Sequence, residues 1–305
     1  MKKFFKKFPF LVFLKRFIWR ILGLKRPHAI FTNKKYFQKL FKSNRNTKSI
    51  SFEHGLVIGK FEDTTYLTKI QPTNSIESSI FLNEISNSNI AKIFSVYLNE
   101  TKNTVIDVGA NIGSISIPLA KRYPNSHFYL FEPHPLIFNK LINNINYNKL
   151  ENVTAQKFAI TDSAETSIPF HAQKNADNLG LSSIKLNHDI KEFDLIEVGA
   201  RTLDSIFLSQ DVTIKIIKID TQGTELNVLM SGKKIIKRDR PIIIFEFESD
   251  YFPNTNDEKN VKQSIIEFFE EINYELFMID DNIKFMPKLT FKDYFQGDII
   301  AVPSK

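Results

Sequence analysis

The sequence predicts an α/β protein built on a doubly wound, mostly parallel sheet, and three observations carry that prediction. From about residue 101 onward, short apolar, β-branched runs alternate with segments of helical period. One run, Pro241–Phe247, is apolar almost without a break and carries Glu246 and Glu248 at its end, as in a parallel strand covered on both faces. Another, Thr104–Gly113 (TVIDVGANIG), reads as a buried strand that breaks into a glycine turn and then a helix starting near Gly113.

Composition fits a globular chain: 305 residues, 42% hydrophobic, 25% charged, 10 Gly and 12 Pro. Cysteine is absent, which excludes disulfides, thiolate zinc sites and a cysteine nucleophile and is compatible with a bacterial cytosolic protein. The abundance of Phe, Ile, Lys and Asn reads as genomic base bias. Residues 1–52 hold 15 of the 41 Lys and Arg and none of the 34 Asp and Glu, so the rest carries 26 basic against 34 acidic residues. A basic arm therefore precedes an acidic body, and that body makes no electrostatic case for nucleic acid. The expected organisation is an arm over 1–50, a strand and helix lead-in over 51–100, and one catalytic domain over 101–305.

Taken in order, Met1–Pro27 mixes aromatic, aliphatic and basic residues, and its longest charge-free run, Phe8–Leu14, is too short to span a bilayer. Lys15, Arg16 and Arg20 interrupt any signal-peptide core, and no small-residue cleavage site follows. Phe10–Leu24 suits either a helix lying on an anionic membrane, with Trp19 at headgroup level, or a helix packed on the body. The expected location is cytoplasmic, with peripheral contact to the inner face of the membrane. Basic character persists to Lys48, with helix possible through Tyr36–Phe41. Alternation at Leu56–Phe61 and Thr65–Ile70 predicts a hairpin, and Glu77–Asn99 a helix with a break near Asn87. After the glycine turn, His127–Phe131 is the next strand, Leu136–Asn148 a helix and Val153–Ile160 a third strand. Thr166–Gln173 and Asp194–Arg201 are added strands around a loop. Ile214–Ile219 is the fourth strand, Glu225–Lys237 a helix, and Glu258–Ile272 another. Tyr274–Ile279 and Asp298–Val302 close the sheet. No repeat of 20 to 50 residues is present.

Within this frame Gly109 allows a positive-φ turn or a close ligand approach, and Asp107 ends its strand at the ligand edge of an open α/β sheet. Glu132 ends the next strand, 23 residues after Gly109, where an acidic residue can accept hydrogen bonds from vicinal ribose hydroxyls. The spacing D-x-G-x-x-x-G is not that of a dinucleotide turn, which argues against an oxidoreductase. The helix N-terminus favours anionic or polar ligand groups without requiring a phosphate.

IDVGANIG, FEPHP (Phe131–Pro135), KIDTQGTELNVL (Lys218–Leu229) and RPIIIFEFE (Arg240–Glu248) together resemble the FkbM-type methyltransferases, over about Glu84–Val302. The resemblance implies a Rossmann-like, seven-stranded sheet of the class I methyltransferase type and S-adenosylmethionine (SAM) as cofactor. It implies Asp107, Gly109, Asn111, Gly113 and Glu132 as cofactor residues. Ala159 and Asp162 join them, because an adenine amino group is commonly received there in this fold class, although Asp162-Ser163 is also an ordinary turn. NLGLSS (Asn178–Ser183) resembles a family element at the active-site mouth and marks Asn178, Ser182 and Ser183 for substrate. Asn143 and Asn144 resemble the family's Asn-rich helix end, a structural feature.

Methyl transfer to a hydroxyl needs alignment of donor and acceptor and removal of a proton. The acidic strand edge supplies Asp220, Glu225 and Glu246 as catalytic candidates, with His134 as another base. Where the family often has D-V-E-G, this chain has Asp220-Thr221-Gln222-Gly223, and the neutral Gln222 weakens a hard-cation site, so no metal is expected. The expected acceptor is a hydroxyl on a small molecule, saccharide or glycolipid. The rivals are an RNA methyltransferase gripping phosphates with its arm, and a catalytically silent SAM- or nucleotide-binding protein. DTQG lacks the Asn/Asp-Pro-Pro-aromatic element with which base N-methyltransferases hold a flat base.

Overall fold

A computed structural model describes residues 47–53, 56–61, 64–68, 88–98, 101–173, 182–184, 193–252, 254–279 and 297–304. The arm expected over 1–27, the helix expected through Tyr36–Phe41 and the loop residue Asn178 lie outside these residues. No helix among the described residues is long and apolar enough to cross a membrane.

Three strands lead in: β1 (Thr47–Glu53), β2 (Leu56–Phe61) and β3 (Thr64–Thr68) pair antiparallel with β2 central. The predicted hairpin is thus β2–β3, and β1 adds a strand that the basic lead-in concealed. Helix α1 (Ser88–Tyr97) is the described part of the helix expected over 77–99.

The main sheet starts with β4 (Thr104–Val108), buried at all five positions. It continues through β5 (His127–Phe131), β6 (Val153–Gln156), β10 (Ile214–Ile219), β11 (Ile242–Phe247), β12 (Tyr274–Met278) and β13 (Gly297–Pro303). Its spatial order is β12-β13-β11-β10-β4-β5-β6, parallel except for β13, which runs antiparallel to both neighbours. The expected seven-stranded, mostly parallel sheet is the observed one. The chain leaves β4 in one direction through β5 and β6 and returns to its other side through β10. The crevice beyond the carboxyl ends of β4 and β10 is therefore the switch point where such folds take ligands.

Period-two alternation sorts each strand's side chains between two cores. Ile106, Val108, Ile217, Ile219, Ile243 and Phe245 pack on one face with α4 (Leu203–Phe207), α5 (Glu225–Ser231), α6 (Lys233–Asp239) and α7 (Thr255–Glu271). Val105, Ile216, Ile242, Ile244 and Ile300 pack on the other with α1, α2 (Ser116–Arg122) and α3 (Pro135–Tyr147). Each fully buried Ile or Phe contributes about 1.5–3 kcal/mol, so both faces must be covered for the sheet to persist.

Three expectations change. The helix after the glycine turn begins at Ser116 rather than near Gly113 and has 7 residues, because residues 110–115 continue as turn. The third strand divides: β6 stays in the main sheet, while β7 (Ala159–Ile160) pairs with β9 (Phe193–Arg201), which in turn pairs with β8 (Ser167–Gln173). The helix expected over Glu225–Lys237 is two helices broken at Gly232. Asn144 is fully buried and donates from Nδ2 to the Ile112 carbonyl at 2.9 Å, which fixes the end of α3 against the glycine turn.

Candidate active site

The first residues of the turn after β4 are held to their neighbours by backbone hydrogen bonds. Gly109 and Ala110 both donate their N–H groups to the Phe131 carbonyl at 3.0 Å, and Asp220 N–H donates to the Val108 carbonyl at 3.0 Å. Gly109 has φ +78°, and a Cβ there would lie 1.8 Å from the Asp220 carbonyl oxygen, so no other residue fits. Gly113 is a different case: a Cβ would meet Ile117 Cδ1 at 2.4 Å and Leu141 Cδ1 at 2.9 Å. Its φ of +85°, together with that packing, requires the glycine.

Glu132 lies at the carboxyl end of β5 with 6% exposure. Its Oε2 accepts from Asn111 N–H at 3.0 Å and its Oε1 from His134 N–H at 2.9 Å. Burial raises its pKa from 4.5 to about 7, against the opposing pull of those two N–H donors. Among the described residues no cation pairs with it.

A polar row crosses four strands on the α1–α3 face. Lys218 pairs in register with Asp107, and Glu246 with Asp298, so the even-numbered positions 218, 220, 246 and 298 share that face with Asp107. Lys218 Nζ lies 3.1 Å from Asp107 Oδ1 and 3.6 Å from Asp220 Oδ2, with side-chain exposures of 4%, 1% and 29% respectively. Burial would lower the Lys218 pKa, but the Asp107 and Asp220 charges outweigh it and raise it, so the ammonium persists. Ser116 Oγ donates to the other Asp107 oxygen at 2.5 Å. Burial, then the Asp220 charge, raises Glu246 from 4.5 to about 8, and the same two causes raise Asp298 from 3.8 to about 6. Tyr251 donates its hydroxyl to Glu246 Oε2 at 2.7 Å.

Several candidates from the sequence are occupied elsewhere. Asp107 is enclosed by Ser116 and Lys218 and turns inward beneath the crevice rather than into it. Glu225 is 2% exposed and binds Thr221 N–H, Thr221 Oγ1 and Gly223 N–H at 3.0–3.2 Å, so it anchors the turn and is withdrawn from proton transfer. His134 is the N-cap of α3: its Nδ1 accepts from Leu136 N–H at 3.2 Å, and burial lowers its pKa. At 3% exposure it does not face the crevice as a base. Ser182 Oγ accepts from Gln173 N–H within the β8–β9 insert, whereas Ser183 Oγ donates to the carbonyls of Thr221 and Gln222 and so ties that insert to the β10 turn. Asp162 is exposed and accepts from Asn227 Nδ2 at 2.8 Å, while Ala159 is packed at 3% exposure. Asn111, at φ +52°, remains beside Glu132. Brought together at the edge are Asp220 and Glu246, joined by residues that sequence reasoning missed: Lys218, Tyr251 and Asp298. The readable signal was a lysine in the otherwise apolar end of IKIIKI; Asp298 becomes visible only through the antiparallel register.

Residues 107–278, more than half of the chain, match the family described as the Methyltransferase FkbM domain. The chain belongs to the FkbM methyltransferase family. Methyltransferase 1 of Beauveria bassiana (strain ARSEF 2860) is 26% identical over 141 residues, covering 41% of this chain and 56% of its own. Methyltransferase sdnD of Sordaria araneosa is 26% identical over 152 residues, covering 41% and 58%. The chain thus spans little more than half the length of the curated relatives it matches. Both are fungal, and the bacterial source that composition fitted has no support from them. A solved structure, methyltransferase FkbM from Methylobacillus flagellatus KT, aligns with 73% of this chain and 53% of its own at 14% identity and a TM-score of 0.43.

The cofactor that goes with the family is SAM, and the residues fit it. Glu132 is a buried carboxylate satisfied among the described residues by two backbone N–H groups, so each oxygen keeps a lone pair for the O–H donor of a ribose.

Two outcomes follow from the buried charges. Lys218→Met strands Asp107 without its cation and costs about 3–5 kcal/mol in urea unfolding, and adding Asp107→Asn recovers part of that loss; equal stability of the single and double variants contradicts it. Glu132 binds its proton more tightly folded than unfolded, so its contribution to stability is full below pH 4.5 and is lost as the pH rises through about 7. Unfolding midpoints measured across that window should fall less steeply in Glu132→Gln than in the wild type, the remaining fall coming from Asp298 and Glu246.

Proposed function

We propose that the protein is a SAM-dependent O-methyltransferase that acts on a hydroxyl of a small molecule, saccharide or glycolipid. The observation that carries this reading is the Asp220–Glu246 pair, which offers proton acceptors at the same sheet edge as the Glu132 turn. SAM, when bound, supplies an electrophilic methyl group on a sulfonium; the protein's share is to align the acceptor with it and receive the acceptor's proton. Asn111 and Glu132 would hold the ribose. Asp220, fixed by the Lys218 ammonium, would orient the acceptor hydroxyl. Glu246 would take its proton: burial and the Asp220 charge place its pKa at about 8, near the value that suits a general base in neutral solution. The edge brings together the acidic side chains Asp220, Glu246 and Asp298, with Lys218 already engaged by carboxylates, and so offers a phosphate backbone no free cation among the described residues there, which speaks against the RNA reading.

Calorimetric titration of the full chain with SAM, S-adenosylhomocysteine and NAD tests the cofactor: the first two should bind and NAD should not. Glu132→Ala should weaken SAM binding by about tenfold or more, the worth of about 1.4 kcal/mol. With labelled SAM and a panel of hydroxyl acceptors, transfer should rise with pH through about 8 as Glu246 loses its proton. Glu246→Gln should abolish that rise while keeping SAM affinity. Full transfer by both Asp220→Asn and Glu246→Gln removes the acid pair from the mechanism.

The basic arm, residues 1–27, is read as a contact to anionic membrane at the inner face, preceding a lead-in to about residue 100 and a catalytic domain over 101–305. Its deletion should end sedimentation with phosphatidylserine vesicles; undiminished sedimentation would assign the arm elsewhere.

A further inference from the structure

Gln222 stands between the two carboxylates of the acidic edge. Its Nε2 lies 3.0 Å from Asp220 Oδ1 and 3.4 Å from Glu246 Oε2. Because both neighbours are acceptors, the NH2 side of the amide faces them and each of its two hydrogens has a separate carboxylate. The backbone holds this side chain in place. Gln222 has φ +57°, a conformation a non-glycine residue keeps where its surroundings enforce it, and its carbonyl accepts from Ser183 Oγ at 3.0 Å. Each carboxylate also has a partner of its own, Lys218 for Asp220 and Tyr251 for Glu246.

We propose that Gln222 is a positioning residue that spans Asp220 and Glu246 in the place a bridging divalent cation would take, so that the acid pair is held and used without a metal. This rests on the reading of the edge as the acceptor site. A divalent cation gathers several oxygen ligands around a compact charge. With its NH2 side turned to the carboxylates the amide presents hydrogens to the same oxygens, and a cation entering there would have to turn the amide over before Gln222 Oε1 became a ligand. It adds no charge, so the repulsion between the two carboxylates persists. That agrees with a Glu246 raised by burial and by Asp220. The link through Ser183 extends the consequence: the β8–β9 insert, at the acceptor side, sets the carbonyl end of the residue whose amide spacing fixes the pair.

The test uses the full chain, Gln222→Leu and Gln222→Glu, with Mn²⁺ as the probe. In calorimetry the wild type should give no Mn²⁺ binding at the edge, and Gln222→Glu should bind at least about tenfold more tightly than wild type, because a third carboxylate replaces the donor. In carbon-13 carboxyl spectra, Gln222→Leu should move the Glu246 titration midpoint upward, since losing a donor to the carboxylate favours its protonated form. Wild-type Mn²⁺ binding that broadens the Glu246 carboxyl signal overturns the proposal, and this needs no variant to fold. An unmoved midpoint in Gln222→Leu overturns it as well. SAM titration runs alongside: loss of SAM binding by the wild type defeats the functional reading, whereas the Mn²⁺ and carboxyl measurements still report on the bridge.

Discussion

The site depends on one buried ammonium. Lys218 occupies a position on the sheet face that its strand neighbour Ile216 gives to the core, and it is tolerable there because Asp107 and Asp220 lie on the same face within 3.6 Å. Asp107 carries the interaction onward to Ser116 and so to the start of α2. Asp220 carries it to Gln222 and the acidic edge. One cation thereby connects the base of the glycine turn to the residues proposed to handle the acceptor. Its charge is structural on one side and, on the other, meets the carboxylate proposed to orient the acceptor.

Two of the raised carboxylates, Glu132 and Glu246, sit in contrasting surroundings. Glu132 is held by backbone N–H groups alone among the described residues, a neutral setting that leaves its oxygens open to hydroxyl donors. Glu246 is surrounded by like charges from Asp220, Asp298 and Glu248 and steadied by a phenol and an amide. The first environment suits recognition and the second suits proton exchange. The difference arises from strand position: β5 ends next to a turn rich in N–H groups, while β11 ends beside two other acid-bearing strands.

Much of the fold was legible in the sequence because periodicity reports burial directly. β4, β5, β10 and β11 appear within one residue of their expected bounds, and their burial patterns explain why: nearly every position faces one core or the other. Less legible was what short segments do when another sheet claims them. Ala159–Ile160 continues an apolar run in sequence yet pairs with β9, a decision made by the insert. Around the candidate site, the placing of Glu132, Asp220 and Glu246 at one edge of the sheet followed from strand ends. Glu225 and His134 did not, because sequence cannot tell a carboxylate or imidazole facing a crevice from one consumed by the adjacent turn or cap. Lys218 could have been suspected, since a lysine in a strand core needs a buried partner.

The contact between Gly109 and the Asp220 carbonyl has a wider consequence. Where the two halves of the winding meet, main chain touches main chain, so the separation between the cofactor turn and the acidic edge is a fixed dimension of the scaffold. Side-chain replacement cannot lengthen or shorten it. Change in such a protein must therefore work through the side chains and loops around these two strand ends, while the distance between the ends themselves is inherited unchanged.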